Sequence, residues 1–240
     1  MSTEYPVYDR AGMTVRMAAI VAGVAYLLNP VSFAEFYIYP KLIIPGHVDQ
    51  TVLNIGAHTG LFAGAILCYL ASFIGDVILA WSLYVLLAPV NRALSLLASW
   101  FQLVYAGIAI VAVDNLVAVY HLVGTPDYLT AFGAGPLDAQ VLLSLHAFRY
   151  GWQMGLVLFG IHLVLVGCLI VRSDYIPWIV GVLLVINGLG WMLDSLGPYL
   201  LPNANLEFTF YTFFGEIVFM FWLLIRGWKV RLSGREAAND

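Results

Sequence analysis

Between residues 14 and 228 the chain carries six apolar stretches, each long enough to cross the hydrocarbon core of a bilayer. They run approximately over 14–37, 52–88, 92–121, 137–171, 177–199 and 207–228. A helix rises about 1.5 Å per residue, so about 20 apolar residues span that layer. Helix-breaking clusters separate the later stretches: "APVNR" at 88–92, "GTPD" at 124–127, "RSDYIP" at 172–177 and "LPNAN" at 201–205. Several stretches exceed the hydrocarbon thickness and must tilt or project into water. Only 10% of the residues are charged and mean hydropathy is +0.90. A soluble domain carries about 25% charged residues, so this chain cannot cover an ordinary fold with a water-facing surface. The expected fold is an all-α integral membrane bundle of six transmembrane helices. It forms a single domain over 1–240, with short tails at about 1–12 and 229–240. The opening "MSTEYPVYDRAG" has neither the basic start nor the short apolar run of a signal peptide.

Lysine and arginine orient the bundle. With the N-terminus inside, the cytoplasmic side receives Arg10, Arg16, Arg92, Arg172, Arg226, Lys229, Arg231 and Arg235, eight of the ten basic residues. Lys41 and Arg149 are left toward the outside. The positive-inside rule then predicts a multi-pass protein of the cell membrane with both termini cytoplasmic and its longest loop, 122–136, outside.

Orientation converts position into depth. Taking Val85, Ile170 and Arg226 as inner helix ends, Asp76, His162 and Glu216 lie nine, eight and ten residues above them. All three fall about 12–15 Å from the inner interface, near mid-membrane. Their surroundings, "FIGDVILAWSL", "LFGIHLVLVGC" and "FFGEIVFMFWL", share an aromatic-flanked glycine ahead of the titratable residue. The likeness suggests a weak repeat of three tandem helical hairpins. Nearer the outer surface lie Glu35, His58, Asp114, His121, His146, Arg149, Gln153 and Asp194. His58 and Asp76 are five turns apart on the second helix and so share a face with Tyr69 and Ser72 between them. Asn187, Trp191 and Asp194 share a face of the fifth helix, and Thr209, Thr212 and Glu216 one of the sixth. His146 and Gln153 face one way on the fourth helix, with His162 nearly opposite. Charged side chains inside a bilayer are costly and mark a site facing the bundle interior.

Bland roles compete with these. His162 could be a hydrogen-bonded core histidine. Arg149 should seek a carboxylate, with Asp194 and Asp114 the candidates at its depth. "GLFAG" at 60–64 and "GWQMG" at 151–155 are small-xxx-small patterns that predict close packing of the second and fourth helices. Trp178 and Trp228 suit an inner aromatic belt. Trp152 and Trp191 suit either a belt or the walls of a pocket. Cys68 and Cys168 lie inside apolar stretches far apart in depth and are expected to stay unpaired.

Three segments resemble the bacterial multi-pass membrane family catalogued as domain of unknown function number 4386. They are "LYVLLAPVNRALSLLASWFQLVYA" at 83–106, "GLVLFGIHLVLVGCLIVRSDYIPWIVGVLLVINGLGWMLDS" at 155–195 and "GEIVFMFWLLIRG" at 215–227. The resemblance implies a six-helix bacterial membrane protein and matches for His58, Asp76, His162, Asp194 and Glu216. It also implies a departure, since the family pattern often has arginine at the position of Gln102 and a basic residue at that of Trp178. It brings no activity with it.

The residues themselves suggest a mid-membrane polar pocket opening outward. The leading expectation is a membrane enzyme acting on a lipid or isoprenoid-like substrate, with Asp76, His162 and Glu216 as acid–base groups. The same three could ligate one divalent metal, since two carboxylates and an imidazole suit Zn, Mn or Fe. His58, Asp114, His146, Arg149, Gln153, Asn187, Trp191 and Asp194 would line the substrate path. A proton- or ion-coupled carrier of an apolar or amphipathic small molecule is the alternative, and a homo-oligomer would suit alternating access. A haem-binding electron carrier would need His58 and His146 opposed. Besides membrane lipids, no nucleic-acid or soluble partner is signalled.

Overall fold

A computed structural model describes residues 14–200 and 212–230, the side chains at 126, 129, 132 and 134 excepted. The described residues are helical with short connections and no strand. In order they form α1 (Val15–Leu27), α2 (Val31–Phe33), a π turn (Ala34–Ile38), α3 (Tyr39–Leu42), α4 (Val48–Ala57) and α5 (Thr59–Leu87). Then follow α6 (Arg92–Gly124), α7 (Pro126–Phe132), α8 (Ala134–Val171), α9 (Trp178–Leu200) and α10 (Phe214–Arg226), which ends in a 3-10 turn over Gly227–Lys229. Among the described residues five runs are long and apolar enough to cross a membrane: Val15–Leu42, Thr59–Leu87, Arg92–Gly124, Gly135–Val171 and Trp178–Leu200. The protein is therefore a polytopic helical membrane protein. The sixth expected stretch is described only as α10, its beginning lying outside the described residues.

Three departures from unbroken helices have local causes. The first run stops at Leu27, because Pro30 has no N–H to continue the ladder and the Asn29 side chain instead accepts from Val31 N at 3.1 Å. The chain resumes through the π turn just before Pro40. A wider turn relieves the clash a proline ring makes with the carbonyl four residues back. Next, Pro45-Gly46 makes a tight turn with Gly46 at φ 79°, closed by His47 N donating to Ile44 O at 3.1 Å. A positive φ after proline is the type II geometry that favours glycine. Finally, the expected 52–88 helix is broken at His58, whose φ of −131° and ψ of 45° lie outside the helical region. His58 is exposed, so the five-turn face joining it to Asp76 does not exist. On α5 itself Tyr69, Ser72 and Asp76 are all buried. The expected outer loop at 122–136 is mostly helix, since α6 runs to Gly124 and α7 fills 126–132.

The described residues divide into two compact units, one of 14–28 with 76–105, 156–200 and 212–230, and one of 29–75 with 106–155. In the first unit α10 packs between α1 and α9. Gly23 of α1 faces Leu223 and Leu224, and Gly227 faces Ala19. A close seam joins α8 to α9. A Cβ placed on Gly160 would lie 2.6 Å from the Gly188 carbonyl oxygen, and one on Gly188 would lie 2.5 Å from that of Gly160. Two turns along, Gly167 and Gly181 oppose each other in the same way, at 2.5 and 2.6 Å. This reciprocity defines an antiparallel pair whose backbones touch through glycine. In lipid such contact is a main source of helix association, because burying apolar side chains there yields little.

In the second unit Gly151 of α8 packs against Ala112 of α6, a Cβ there falling 3.2 Å from Ala112 Cβ. The expected close approach through "GLFAG" does not occur, for Gly60 and Gly64 have nothing within 4 Å. Cys68 and Cys168 are both free thiols.

Candidate functional site

The first unit holds a polar cluster deep among apolar helices. Asp76 of α5 is 6% exposed and lies beside the Gln102 amide of α6, which is wholly buried. The carboxyls of Asp76 and Glu216 interact electrostatically, and the Tyr26 hydroxyl of α1 stands close enough to feel both. Glu216 enters from the first turn of α10. Asn187 Nδ2 donates to its Oε1 at 2.7 Å and Trp191 Nε1 donates to the same oxygen at 3.1 Å. Asn187 and Trp191 are one turn apart on α9, which is why two donors reach one atom. Gly215 makes this possible: a Cβ there would sit 2.5 Å from the Leu183 carbonyl oxygen and 3.2 Å from Asn187 Cβ.

Several buried polar atoms in this unit have no hydrogen-bond partner among the described residues. They include Tyr26 Oη, Gln102 Oε1, Asn187 Oδ1, Thr212 Oγ1 and His162 Nε2. A buried polar atom left unpaired costs about 1–3 kcal/mol, so each of these calls for a water or another polar partner.

His162 has its own anchor. It is wholly buried, and its Nδ1–H donates to the Ala98 carbonyl at 2.9 Å, the only sense a carbonyl oxygen allows. Its ring stacks at 6.1 Å on Phe159, which in turn contacts Trp191. Among the described residues no three His, Cys, Asp or Glu side chains are grouped so as to hold a metal ion. The expected Asp76–His162–Glu216 ligand set is therefore not assembled. The two carboxyls interact electrostatically, but His162 points at the α6 backbone.

The second unit contains a different charged site. Arg149 Nη1 donates to both oxygens of Glu35, at 3.0 and 2.8 Å, and the Tyr69 hydroxyl also donates to Glu35. The guanidinium carbon lies 4.1 Å above the Tyr39 ring, with Phe148 and Trp152 each at 5.7 Å. Tyr69, Phe73, Phe148 and Trp152 pack against one another edge-on or stacked. The partner of Arg149 is thus Glu35, replacing the expected Asp194 or Asp114. Glu35 sits in the π turn, a break from the regular first helix that the sequence suggested. The side chains remain partly open, 30% exposed for Arg149 and 21% for Glu35.

Of the other expected lining residues, His58, Asp114 and His146 are exposed, and Gln153 and Asp194 half-buried; His121, expected only in the outer layer, is exposed as well. Surface-exposed His58 and His146 are not buried as the axial pair of an enclosed haem would be. Trp152 and Trp191 are walls of the two clusters, whereas Trp178 and Trp228 are exposed in the manner of belt residues. Nothing in the sequence singles out Tyr26 and Tyr39, because a tyrosine in an apolar run looks like ordinary packing.

Comparison with known proteins places this arrangement in a family. A family model described as Domain of unknown function (DUF4386) matches residues 21–227. The chain belongs to that family. An uncharacterized protein of Archaeoglobus fulgidus is 34% identical over 158 residues, covering 65% of this chain and 78% of the relative. The likeness therefore extends beyond the bacteria that the sequence resemblance implied. No solved structure matches the chain.

Proposed function

We propose that this is a membrane carrier that couples movement of a small amphipathic molecule to a proton or cation held between Asp76 and Glu216. In this reading six helices span the cell membrane and both termini face the cytoplasm, as the Lys and Arg distribution favours. The observation that carries the proposal is a polar cluster holding two carboxyls, the buried Asp76 and the half-buried Glu216, with no basic partner for either. Among the described residues the one ion pair is Arg149–Glu35, and no Lys or Arg side chain bridges to Asp76 or Glu216. Two negative charges in a low-dielectric interior repel strongly, so the cluster calls for a compensating proton or mobile cation. The unpartnered oxygens of Tyr26, Gln102, Asn187 and Thr212 are suitable acceptors for a hydrated ion. An exchangeable charge at mid-membrane is what coupled transport uses.

The arrangement favours a carrier over the acid–base enzyme expected from the sequence. Both readings use the carboxyls, but the acid–base enzyme also counts on His162 grouped with them, and among the described residues no such His–Asp–Glu group is assembled. The test uses proteoliposomes containing the full chain and a lumenal pH indicator. Pools of amphipathic small molecules should change lumenal pH under an imposed proton gradient, and Asp76→Asn and Glu216→Gln should abolish the change. Infrared titration should show a carboxylic-acid band in the wild type that each variant alters. A wild type that behaves like both variants in the two assays would refute the carrier. Chemical turnover of a pool member without proton movement would restore the enzyme.

A further inference from the structure

We infer that the basic end of α10 forms a binding site for the phosphate of an anionic phospholipid. A groove of about 540 Å³ in the first unit is lined by Tyr175, Pro177, Trp222, Arg226, Lys229 and Val230. That volume lies within the range of small-molecule sites, about 300–1,000 Å³, and admits a phosphodiester with its glycerol. The lining is divided chemically. Arg226 and Lys229, both exposed, supply two positive charges, and among the described residues no carboxylate pairs with either. Arginine offers a planar fork that matches phosphate oxygens, and lysine a mobile point charge. Lys229 Nζ lies 4.6 Å from the centroid of the Trp228 ring, which holds the ammonium near the helix end.

The remaining lining is apolar or committed. The Tyr175 hydroxyl donates to the Leu86 carbonyl at 2.6 Å, so it presents its ring rather than its oxygen. Trp222, one turn before Arg226, continues the groove along the apolar body of α10 toward the membrane interior, where an acyl chain would lie. A free phosphate ion would use only the two cations. A phospholipid uses both the cations and the apolar wall, and so satisfies the whole groove. A cationic groove ending a transmembrane helix is also where anionic headgroups concentrate.

The full chain, purified in detergent, is titrated with phosphatidylglycerol and with phosphatidylcholine, and bound lipid is read by native mass spectrometry. Phosphatidylglycerol should bind tighter than phosphatidylcholine. Each of Arg226→Gln and Lys229→Gln should weaken it about fivefold, and the double variant roughly 30-fold, on the basis of about 1 kcal/mol per cation near an anionic surface. Lys41→Gln, which removes a cation outside the groove, should leave binding unchanged. Phosphatidylglycerol should also raise the melting temperature more than phosphatidylcholine does, and that difference should vanish in the double variant. Equal affinity of wild type and double variant, or equal weakening by Lys41→Gln, would overturn the site. Displacement of phosphatidylglycerol by inorganic phosphate at equal concentration would also overturn it, by showing that the acyl chain contributes nothing.

Discussion

The α8–α9 glycine seam makes a quantitative prediction. In Gly188→Ala the new Cβ would lie 2.5 Å from the Gly160 carbonyl oxygen and 3.0 Å from both Leu163 Cβ and Val164 Cγ2. Ordinary contact begins at 3.4 Å, so the two backbones must part by about 0.9 Å. A gap of 0.5–1 Å forfeits a quarter to a half of each dispersion contact along the seam. Overpacking of this kind costs about 1–3 kcal/mol, and because the obstacle is backbone, the upper half of that range is expected. Gly181→Ala, with its Cβ 2.6 Å from the Gly167 carbonyl oxygen, should behave alike. Adding Gly160→Ala to Gly188→Ala should cost less than the sum, since the first change has already opened the pair. The control is Gly64→Ala, where nothing lies within 4 Å and the effect should stay within about 0.5 kcal/mol. Stability would be read by denaturant unfolding in mixed micelles. A Gly188→Ala variant as stable as Gly64→Ala would refute the seam.

Arg149→Leu should destabilise the protein by about 1–3 kcal/mol, less than a fully buried pair would lose because both partners are partly exposed. Glu35→Gln in that background should recover most of the loss, and Asp194→Asn or Asp114→Asn none of it, again by micellar unfolding. Tyr175→Phe should cost about 1 kcal/mol by stranding the Leu86 carbonyl. Burial, reinforced by the neighbouring Asp174, raises the Tyr175 phenol above its usual range. A raised folded value contributes stability that is intact below the unfolded value of about 10 and lost above it. The Tyr175→Phe deficit should therefore stay constant from neutral pH up to about 10 and shrink beyond. For topology, a single cysteine placed at residue 130 should react with an impermeant outside reagent and one at residue 236 should not. The reverse labelling would overturn the cytoplasmic assignment of the termini.

Much of the architecture was legible because helical arithmetic gives height along a span. It singles out Asp76 and Glu216, which interact electrostatically, and the one-turn spacing of Asn187 and Trp191 announces a shared face that meets Glu216. Azimuth is beyond such arithmetic. His162 shares the depth of the carboxyls and yet turns to Ala98. Breaks also defeat extrapolation: the interruption at His58 and the π turn around Glu35 each rotate the next helical segment by an amount that periodicity does not encode. A small-residue motif, for its part, shows only that a helix can be approached. "GLFAG" fits the pattern and meets nothing, whereas Gly160 with Gly167 and Gly181 with Gly188 make the contact. Their seven-residue spacing is two helical turns, repeated on neighbouring spans, and that repetition is the sequence signal of the seam.

The same kind of contact ties packing to the proposed site through Gly215. Glu216 reaches Asn187 and Trp191 because its neighbour in the chain lets α10 rest directly on the Leu183 carbonyl. Gly215→Ala would place a Cβ 2.5 Å from that oxygen, so α10 must withdraw by about 0.9 Å. The Asn187–Glu216 bond would then stretch from 2.7 Å toward about 3.6 Å, beyond hydrogen-bonding range. A positioning role and a merely structural one diverge at this point. If the glycine serves the site, Gly215→Ala should shift the infrared carboxylic-acid titration that Glu216→Gln removes, and Asn187→Leu should shift it in the same direction without altering α10. If the glycine only packs, Gly215→Ala should lower stability about as much as Gly188→Ala while leaving the titration where it was. Agreement between Gly215→Ala and Asn187→Leu is the expected result, because both act by taking a donor away from the same Glu216 oxygen.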